Sequence, residues 1–323
     1  MASTYARPHL SFEAQLEGLK NRGLIVTDDA AALAYLRRLG YYRLSAYLYP
    51  FRQSSMSIVD GKVVLHLSDN FKDGASFHDA INLYVFDKKL RMLVSDAIER
   101  IEVAIRVDIA YNMGRLHTFA HHQPEFLHGH FSSKVKADTG LTKHQEWLNK
   151  LRGLTDKSKE DFVKHYRSKY GLPLPIWVSI EVWDFGLLSH FYAGMKLKEQ
   201  EELANRFGIP SPNLMTSWLR AINYVRNIAA HHGRLFNRNM VDYPIIPQEG
   251  QIPAFDPSWA ALNVYRPYAT LCVISYLMKR ICPGSSWQAR VKNHLQTFPV
   301  TQIDGLSVKA LGCDDSWAND SFW

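Results

Sequence analysis

Cysteine is scarce in this sequence: Cys272, Cys282 and Cys313 are the only three in 323 residues. Their spacing fits neither a zinc signature nor an even disulfide framework, so a stapled secreted fold is not expected and a reducing compartment is. Long apolar runs are missing too. The longest, Tyr268 to Met278, is interrupted by Thr270 and Ser275 and falls short of the ~20 residues that a bilayer-spanning helix needs. The first residues, MASTYARPHLSFEAQL, hold no apolar signal core. The expectation is a cytoplasmic protein with no membrane partner. There is no internal repeat and no low-complexity tract.

What is present is an ordinary globular composition, 46% hydrophobic and 21% charged, in a chain long enough for one large domain or two smaller ones. The charge is uneven. The net charge is +7, from 38 Lys and Arg against 31 Asp and Glu. The tail from Ile303 holds Asp304, Asp314, Asp315 and Asp320 against Lys309 alone, so the rest of the chain carries +10. A basic body fits a nucleic-acid partner, although many basic proteins have none.

One stretch organises the rest: Trp218 to Asn239, WLRAINYVRNIAAHHGRLFNRN. Trp218, Ile222, Val225 and Ala229 recur at three- and four-residue steps and predict one buried helical stripe. Ser211-Pro212 is a start signal and Gly233 a stop signal. On that helix Asn227 and His231 share a face. Arg226 and His231 diverge by about 140°, yet a long arginine can still swing toward a phosphate that the imidazole touches.

RNA carries its own nucleophile, the 2′-OH. Cleavage then needs a group that moves protons near neutral pH and a cation for the charge that builds on phosphorus. Histidine has the side-chain pKa nearest neutrality. Arginine holds phosphate oxygens with a planar donor fork. His231 is therefore the candidate general acid or base, and Arg226 the candidate phosphate and transition-state cation. Asn227 could orient the imidazole or bind the phosphate. This scheme uses no metal and no cofactor. The same spacing also fits ordinary polar residues near a helix C-terminus, where cations are favoured.

RNIAAHHGRLFNR resembles the R-N-x-x-x-H signature of the HEPN superfamily, and within it the abortive-infection (Abi) family of bacterial defence proteins. Further blocks carry the resemblance: RGLIV at Arg22 to Val26, LGYYRLSAY at Leu39 to Tyr47, and LYVFDKKLRMLVSDAIERIEVAIR at Leu83 to Arg106. FVKHYRSKY from Phe162 and PIWVSIEVWDFGLLSHFY from Pro175 follow in the same order. After about Tyr243 the resemblance stops. It implies an all-helical HEPN fold, metal-independent RNA cleavage, a composite site in a dimer and a toxin-like role in phage defence. Arg226, Asn227 and His231 fall on the signature, and His232 on the family's doubled histidine.

Elsewhere, Ser11 is a cap candidate for a short helix closed by Gly23, and Thr27 with Asp28 and Asp29 opens another closed by Gly40, a helix-turn-helix-like pattern. Tyr41, Tyr42, Arg43 and Tyr47 either grip RNA or pack at the bundle rim. SMSIVDGKVVLHLSDNF permits a small hairpin around Asp60-Gly61 or an irregular loop. A long helix is predicted from Phe77 to Met113 on the stripe Leu90, Val94, Ala97, Ile101, Ala104 and Ile109, with Gly114 as its end. Beside that stripe, Glu102 and Arg106 form a favourable i,i+4 pair. Glu102, and then Glu99, are candidates to orient Arg226 or His231.

His117, His121, His122, His128, His130 and His144 are dense, but their spacing fits no zinc signature, and a flexible loop near RNA is expected. Two helices are expected between Thr142 and Tyr170, broken at Gly153 to Lys157. Lys164, His165, Arg167 and Lys169 form a basic edge that could track phosphates or face solvent. LPLP closes that section. Helices resume over about Pro175 to Gly194, kinked at Gly186, and over Lys198 to Phe207. Arg234, Asn237 and Arg238 follow the central helix closely enough to contact substrate. Helices over about Pro257 to Arg280 and Ser285 to Gln296 follow, and Trp317, Phe322 and Trp323 end the chain as an aromatic plug or a disordered tail.

The expected fold is all-α: a HEPN-type bundle over residues 77–302, a helical module over 1–76 and an acidic tail over 303–323. The expected function is a metal-independent endoribonuclease that acts as a toxin-like effector in phage defence. A C2 homodimer is expected, together with an RNA or protein antitoxin, a structured noncoding RNA being favoured. The alternatives are a non-catalytic RNA-binding or protein-interaction module, and a toxin silenced by an enzyme that modifies it.

Overall fold

The computed structural model describes residues 8–59, 61–255, 262–303 and 305–323. The described chain is all-α apart from one two-stranded antiparallel ribbon. It divides into two units. One takes the chain up to Leu90 with Asn293–Ala310, the other Arg91–Lys292 with Leu311–Trp323.

The first unit opens with α1 (Phe12–Lys20), α2 (Asp29–Leu39) and α3 (Tyr41–Leu48). The expected Ser11 cap forms, its hydroxyl accepting from the Ala14 N–H; of the three residues expected to open α2, Asp28 is the cap, its carboxylate accepting from the Ala31 N–H. Gly40 joins α2 to α3 directly at φ 77°, a backbone region that a side chain disfavours. Leu16, Leu19, Leu36 and Leu44 are buried, which is the inner face that the periodicity predicts. The hairpin reading holds. Strand β1 (Arg52–Val59) pairs antiparallel with β2 (Lys62–Phe71), Val59 opposite Lys62. The turn residue Asp60 lies outside the described residues, as does Asp304 of the tail.

Helix α4 runs from Phe77 to Leu116 and passes from the first unit into the second. Leu90, Val94, Ala97, Ile101, Ile105 and Ile109 are fully buried. Ile105 takes the place expected for the half-buried Ala104. Gly114 does not end the helix. It admits the Trp177 indole, whose Cε3 would lie 3.3 Å from an added Cβ, so close approach is its use here.

The second unit continues with α5 (Gly129–Ser132), α6 (Lys143–Lys157), α7 (Asp161–Tyr170), α8 (Ile176–Ser179) and α9 (Phe185–Gly194). Next come α10 (Leu197–Arg206), α11 (Pro212–Ala230), α12 (Pro267–Ile281) and α13 (Trp287–Gln296), which crosses back at Asn293. Two expected breaks move. The α6–α7 break falls at Ser158–Glu160, just past the expected Gly153 to Lys157, because one glycine costs a helix only about 1 kcal/mol and the rest of α6 outweighs it. The expected kink at Gly186 is instead a full break at Trp183–Asp184, where the Asp184 carboxylate accepts the Leu187 N–H at 2.7 Å and caps α9.

Helix α12 starts at Pro267, later than the expected Pro257; residues 256–261 lie outside the described residues. Every residue from Pro267 to Met278 is buried, so α12 is a central helix, and the Tyr276 ring meets Trp218 of α11 edge-on at 5.4 Å. The chain's last aromatics dock as a plug. Phe322 packs on Phe255 at 4.3 Å, and the Trp323 N–H donates to the Tyr268 hydroxyl at 2.8 Å. Among the described residues no helix is long and apolar enough to cross a membrane.

Candidate active site

Helix α11 carries the R-N-x-x-x-H signature on its last turn. Its N-terminus is set by Ser211, whose hydroxyl accepts from the Leu214 N–H, with Pro212 at the first helical position. Trp218, Ile222, Val225 and Ala229 point inward and are buried, as the spacing predicts. The helix stops at Ala230, earlier than the expected Gly233. His231 is the C-cap. The His232 N–H bonds the Ala229 carbonyl at 3.1 Å, and the Gly233 N–H bonds the Ile228 carbonyl at 2.8 Å. That pair of bonds is the Schellman closure. The left-handed residue at its centre is usually glycine, but here it is His232, with φ 56°. A histidine held where glycine is preferred is the kind of local strain that gathers at functional sites.

This stop turns both imidazoles outward. Asn227, His231 and His232 are exposed, while Arg226 is half-buried. The Arg226 Nη1 reaches the Asn227 side-chain oxygen at 3.4 Å, a long contact. The other guanidinium nitrogens make no hydrogen bond among the described residues. The Asn227 amide therefore faces Arg226 and not the imidazole that it was a candidate to orient.

Glu102 of α4 is the acidic neighbour. It accepts from Arg106 one turn on, and both side chains are largely buried. The Arg106 guanidinium also donates to the Trp183 carbonyl at 2.5 Å and lies 3.9 Å from the Glu181 carboxylate. Arg106 thus ties α4 to the break that sets Asp184. Burial raises the Glu102 pKa; the Arg106 and Arg226 charges oppose that, and Asp184 and Glu99 reinforce it. Glu102, Arg226 and Asp184 therefore share one electrostatic neighbourhood, with the exposed Glu99 at its edge. The Glu102–Arg106 pair forms as expected, but the reach of Arg106 to Trp183 and the role of Asp184 were missed in the sequence. The W-D-F-G run did hold a cap signal at Asp184, but nothing local pointed it toward α4.

The remaining candidates scatter. Tyr41, Tyr42 and Arg43 belong to the first unit. Tyr41 accepts from Arg22 at 2.9 Å, Tyr42 is 92% exposed, and Arg43 is exposed. Tyr47 is buried and donates to Asp87 at 2.6 Å. On α7, Lys164 pairs with Asp161 and Arg167 with Asp156, each at 3.1 Å. Arg238 donates to the Tyr224 hydroxyl and the Arg234 carbonyl, both at 3.2 Å, and Asn237 accepts from Arg266 at 2.7 Å. Arg234, Asn237 and Arg238 thus belong to a strap folded against the end of α11.

The histidine-rich segment was expected as a flexible loop near RNA. Its described residues form two short 3-10 turns and α5, because aromatic packing draws the chain inward. His121 is fully buried against Trp147 and Trp183, and His144 bonds the His121 carbonyl at 2.8 Å. Among the described residues no group of three or more His, Cys, Asp or Glu is arranged to hold a metal ion.

Fold and site together define an all-α protein with an Arg-Asn-His cluster open to solvent at the end of a buried helix. The family model for Abi-like proteins matches residues 34–237, and the chain belongs to that family. The match includes the whole of α4 and α11. Membership supports a role in abortive infection, the phage-defence response. No curated protein and no solved structure matches the chain.

Proposed function

We propose that the chain is a metal-independent endoribonuclease of the HEPN type, acting as a toxin-like effector in abortive infection. The observation that carries this reading is the end of α11, where an exposed His231 follows an open Arg226 guanidinium whose charge acts on the largely buried Glu102. In the reaction the 2′-oxygen attacks the adjacent phosphorus and passes its proton to a base. The phosphorus–O5′ bond breaks, and O5′ takes a proton from an acid. The products are a 2′,3′-cyclic phosphate and a free 5′-hydroxyl. His231 serves as the acid or the base, and Arg226 holds the non-bridging oxygens as charge grows there. Glu102 positions Arg226 by its charge. His232 is the second exposed imidazole beside the phosphate.

One chain offers one signature, while the reaction uses both an acid and a base. A C2 homodimer would bring two signatures to one phosphate. An exposed apolar stripe on α4 supports such a contact: Val103, Val107 and Tyr111 are 51%, 59% and 63% exposed on the helix that carries Glu102. Because free RNA cleavage harms the host, an antitoxin restrains the enzyme, and a structured noncoding RNA suits the basic body.

The test is paired. Wild type and His231→Ala are expressed under a tight promoter, and each purified protein is given labelled RNA in EDTA. Growth arrest and cyclic-phosphate ends from wild type alone are expected. Intact RNA with both proteins, alongside tight RNA binding, would overturn the nuclease and leave a binding module. A protomer mass by light scattering from a fully active sample would remove the dimer.

A further inference from the structure

The second unit also holds a large cleft outside the residues that the reaction uses. It measures about 820 Å³ and is walled by α6, α9 and α11, within the size range of ligand sites. Helix α6 contributes Lys143, Glu146, Trp147 and Lys150, at the three- and four-residue steps of a single helix face. Helix α9 contributes Gly186, Leu187 and His190, and α11 contributes Asn223, one turn before Arg226 and Asn227. Asp184, whose charge reaches Glu102, lies on the same wall.

The cleft is net positive, with Lys136, Lys143 and Lys150 against Glu146 and Asp184. The Glu146 carboxylate is taken by Lys136 at 2.5 Å, and Asp184 caps α9 through the Leu187 N–H. Lys143 and Lys150 are exposed and have no ion-pair partner among the described residues. This is unlike the α7 edge, where Lys164 and Arg167 are each paired. Seven residues apart on a helix, the two lysines stand about 10 Å apart along the axis, a length suited to a run of backbone phosphates. His190 reports the same field. Crowding by protein lowers its pKa, Lys150, Arg220 and Lys143 lower it further, and Asp184 opposes them. A neutral imidazole keeps one N–H donor and one acceptor for a base or sugar.

We propose that this cleft holds the single-stranded RNA next to the scissile bond, with Lys143 and Lys150 on its phosphates and His190 and Asn223 on an adjoining nucleotide. The strand then follows α11 from Asn223 past Asn227 to His231. Lysines on phosphates and polar side chains on one nucleotide make up the usual division of labour in single-strand binding. The inference rests on the nuclease reading for the fate of the strand, but its test reads binding alone.

The test uses full-length His231→Ala protein, so that no RNA is consumed, and a fluorescein-labelled single-stranded oligoribonucleotide as probe. Anisotropy titrations are run across a salt series with Lys143→Ala/Lys150→Ala and His190→Ala added to that background. Lys198→Ala, an exposed lysine of α10 outside the cleft, is the control. The double variant is expected to bind on the order of tenfold more weakly, with the slope of log K against log salt reduced by about 1.4 for two lost contacts. His190→Ala is expected to weaken binding and leave that slope unchanged. Melting curves confirm folding, and alanine at exposed helical positions does not oppose it. Equal affinity of the double variant and the parent, or no binding by either, overturns the inference. Cleavage by the lysine variants with His231 intact separates the two readings. A nuclease whose KM ignores Lys143 and Lys150 keeps the active site and loses the cleft; an inactive wild type that still needs both lysines to bind loses the nuclease and keeps the cleft.

Discussion

The fold treats two groups of histidines in opposite ways. His121 and His144 are buried in an aromatic cluster, where Trp147 meets Trp183 edge-on at 4.7 Å and Phe191 at 5.1 Å. Among the described residues neither ring nitrogen of His121 has a hydrogen-bond partner. His231 and His232 stand exposed at the end of α11, held by backbone bonds of the helix stop. By density in sequence the first group is the more conspicuous. By chemistry the second is the more useful, because an imidazole moves protons only where substrate reaches it. The first group should therefore govern stability and the second activity, a division that substitutions in each group can break.

The largest effect is expected at the exposed group. His231→Ala should reduce RNA cleavage by about 10²- to 10⁴-fold and leave the melting temperature unchanged. Arg226→Lys should fall about 10²-fold, because an ammonium does not reproduce the planar fork; single-turnover rates measure both. A large loss of stability in either variant would break the division from that side.

Next in size is His144→Ala, which removes a ring from the core and its bond to the His121 carbonyl. It is expected to cost about 2–3 kcal/mol in denaturant unfolding, with cleavage per folded molecule intact. Unaltered stability would mean that the aromatic cluster is not the support it resembles.

The buried group should also make the protein acid-sensitive. Burial holds His121 well below its ordinary pKa and takes His122 down to about 4, from 6.5. In the unfolded chain these imidazoles protonate near 6.5, while in the folded protein they stay neutral to lower pH. The unfolded state therefore binds more protons across this window, and stability falls as pH drops from about 6.5 toward 4. His121→Leu should flatten that fall in melting temperature against pH. An unchanged slope would assign the acid sensitivity to other groups.

The smallest effect is expected at His232. Glycine suits φ 56° better than histidine does, so His232→Gly should raise stability by about 0.5 kcal/mol. The same change should lower cleavage if the second imidazole faces the phosphate. A stability gain with full activity would reduce His232 to a helix stop.

Much of this was legible from local pattern. The buried face of α11, the Ser11 and Ser211 caps, the pairing of β1 with β2 and the course of α4 all follow from period and from side chains that compete for free backbone groups. Misreadings cluster where glycine was taken as punctuation: Gly114, Gly153 and Gly186 lie within helices. Glycine permits a turn but does not impose one, and Gly114 is there for the Trp177 ring.

The sequence by itself determined the helices, the basic body and the presentation of Arg226, Asn227 and His231 on one helix end, since each depends on residues within a few turns of one another. Only the tertiary structure decided which histidines went inside, that Arg106 would anchor Trp183 seventy-seven residues away, and that Lys143, Lys150, His190 and Asn223 would line one cleft. Periodicity says which face of a helix is buried. It does not say against what, because the partner is chosen by packing and charge between segments that meet only once the chain has folded.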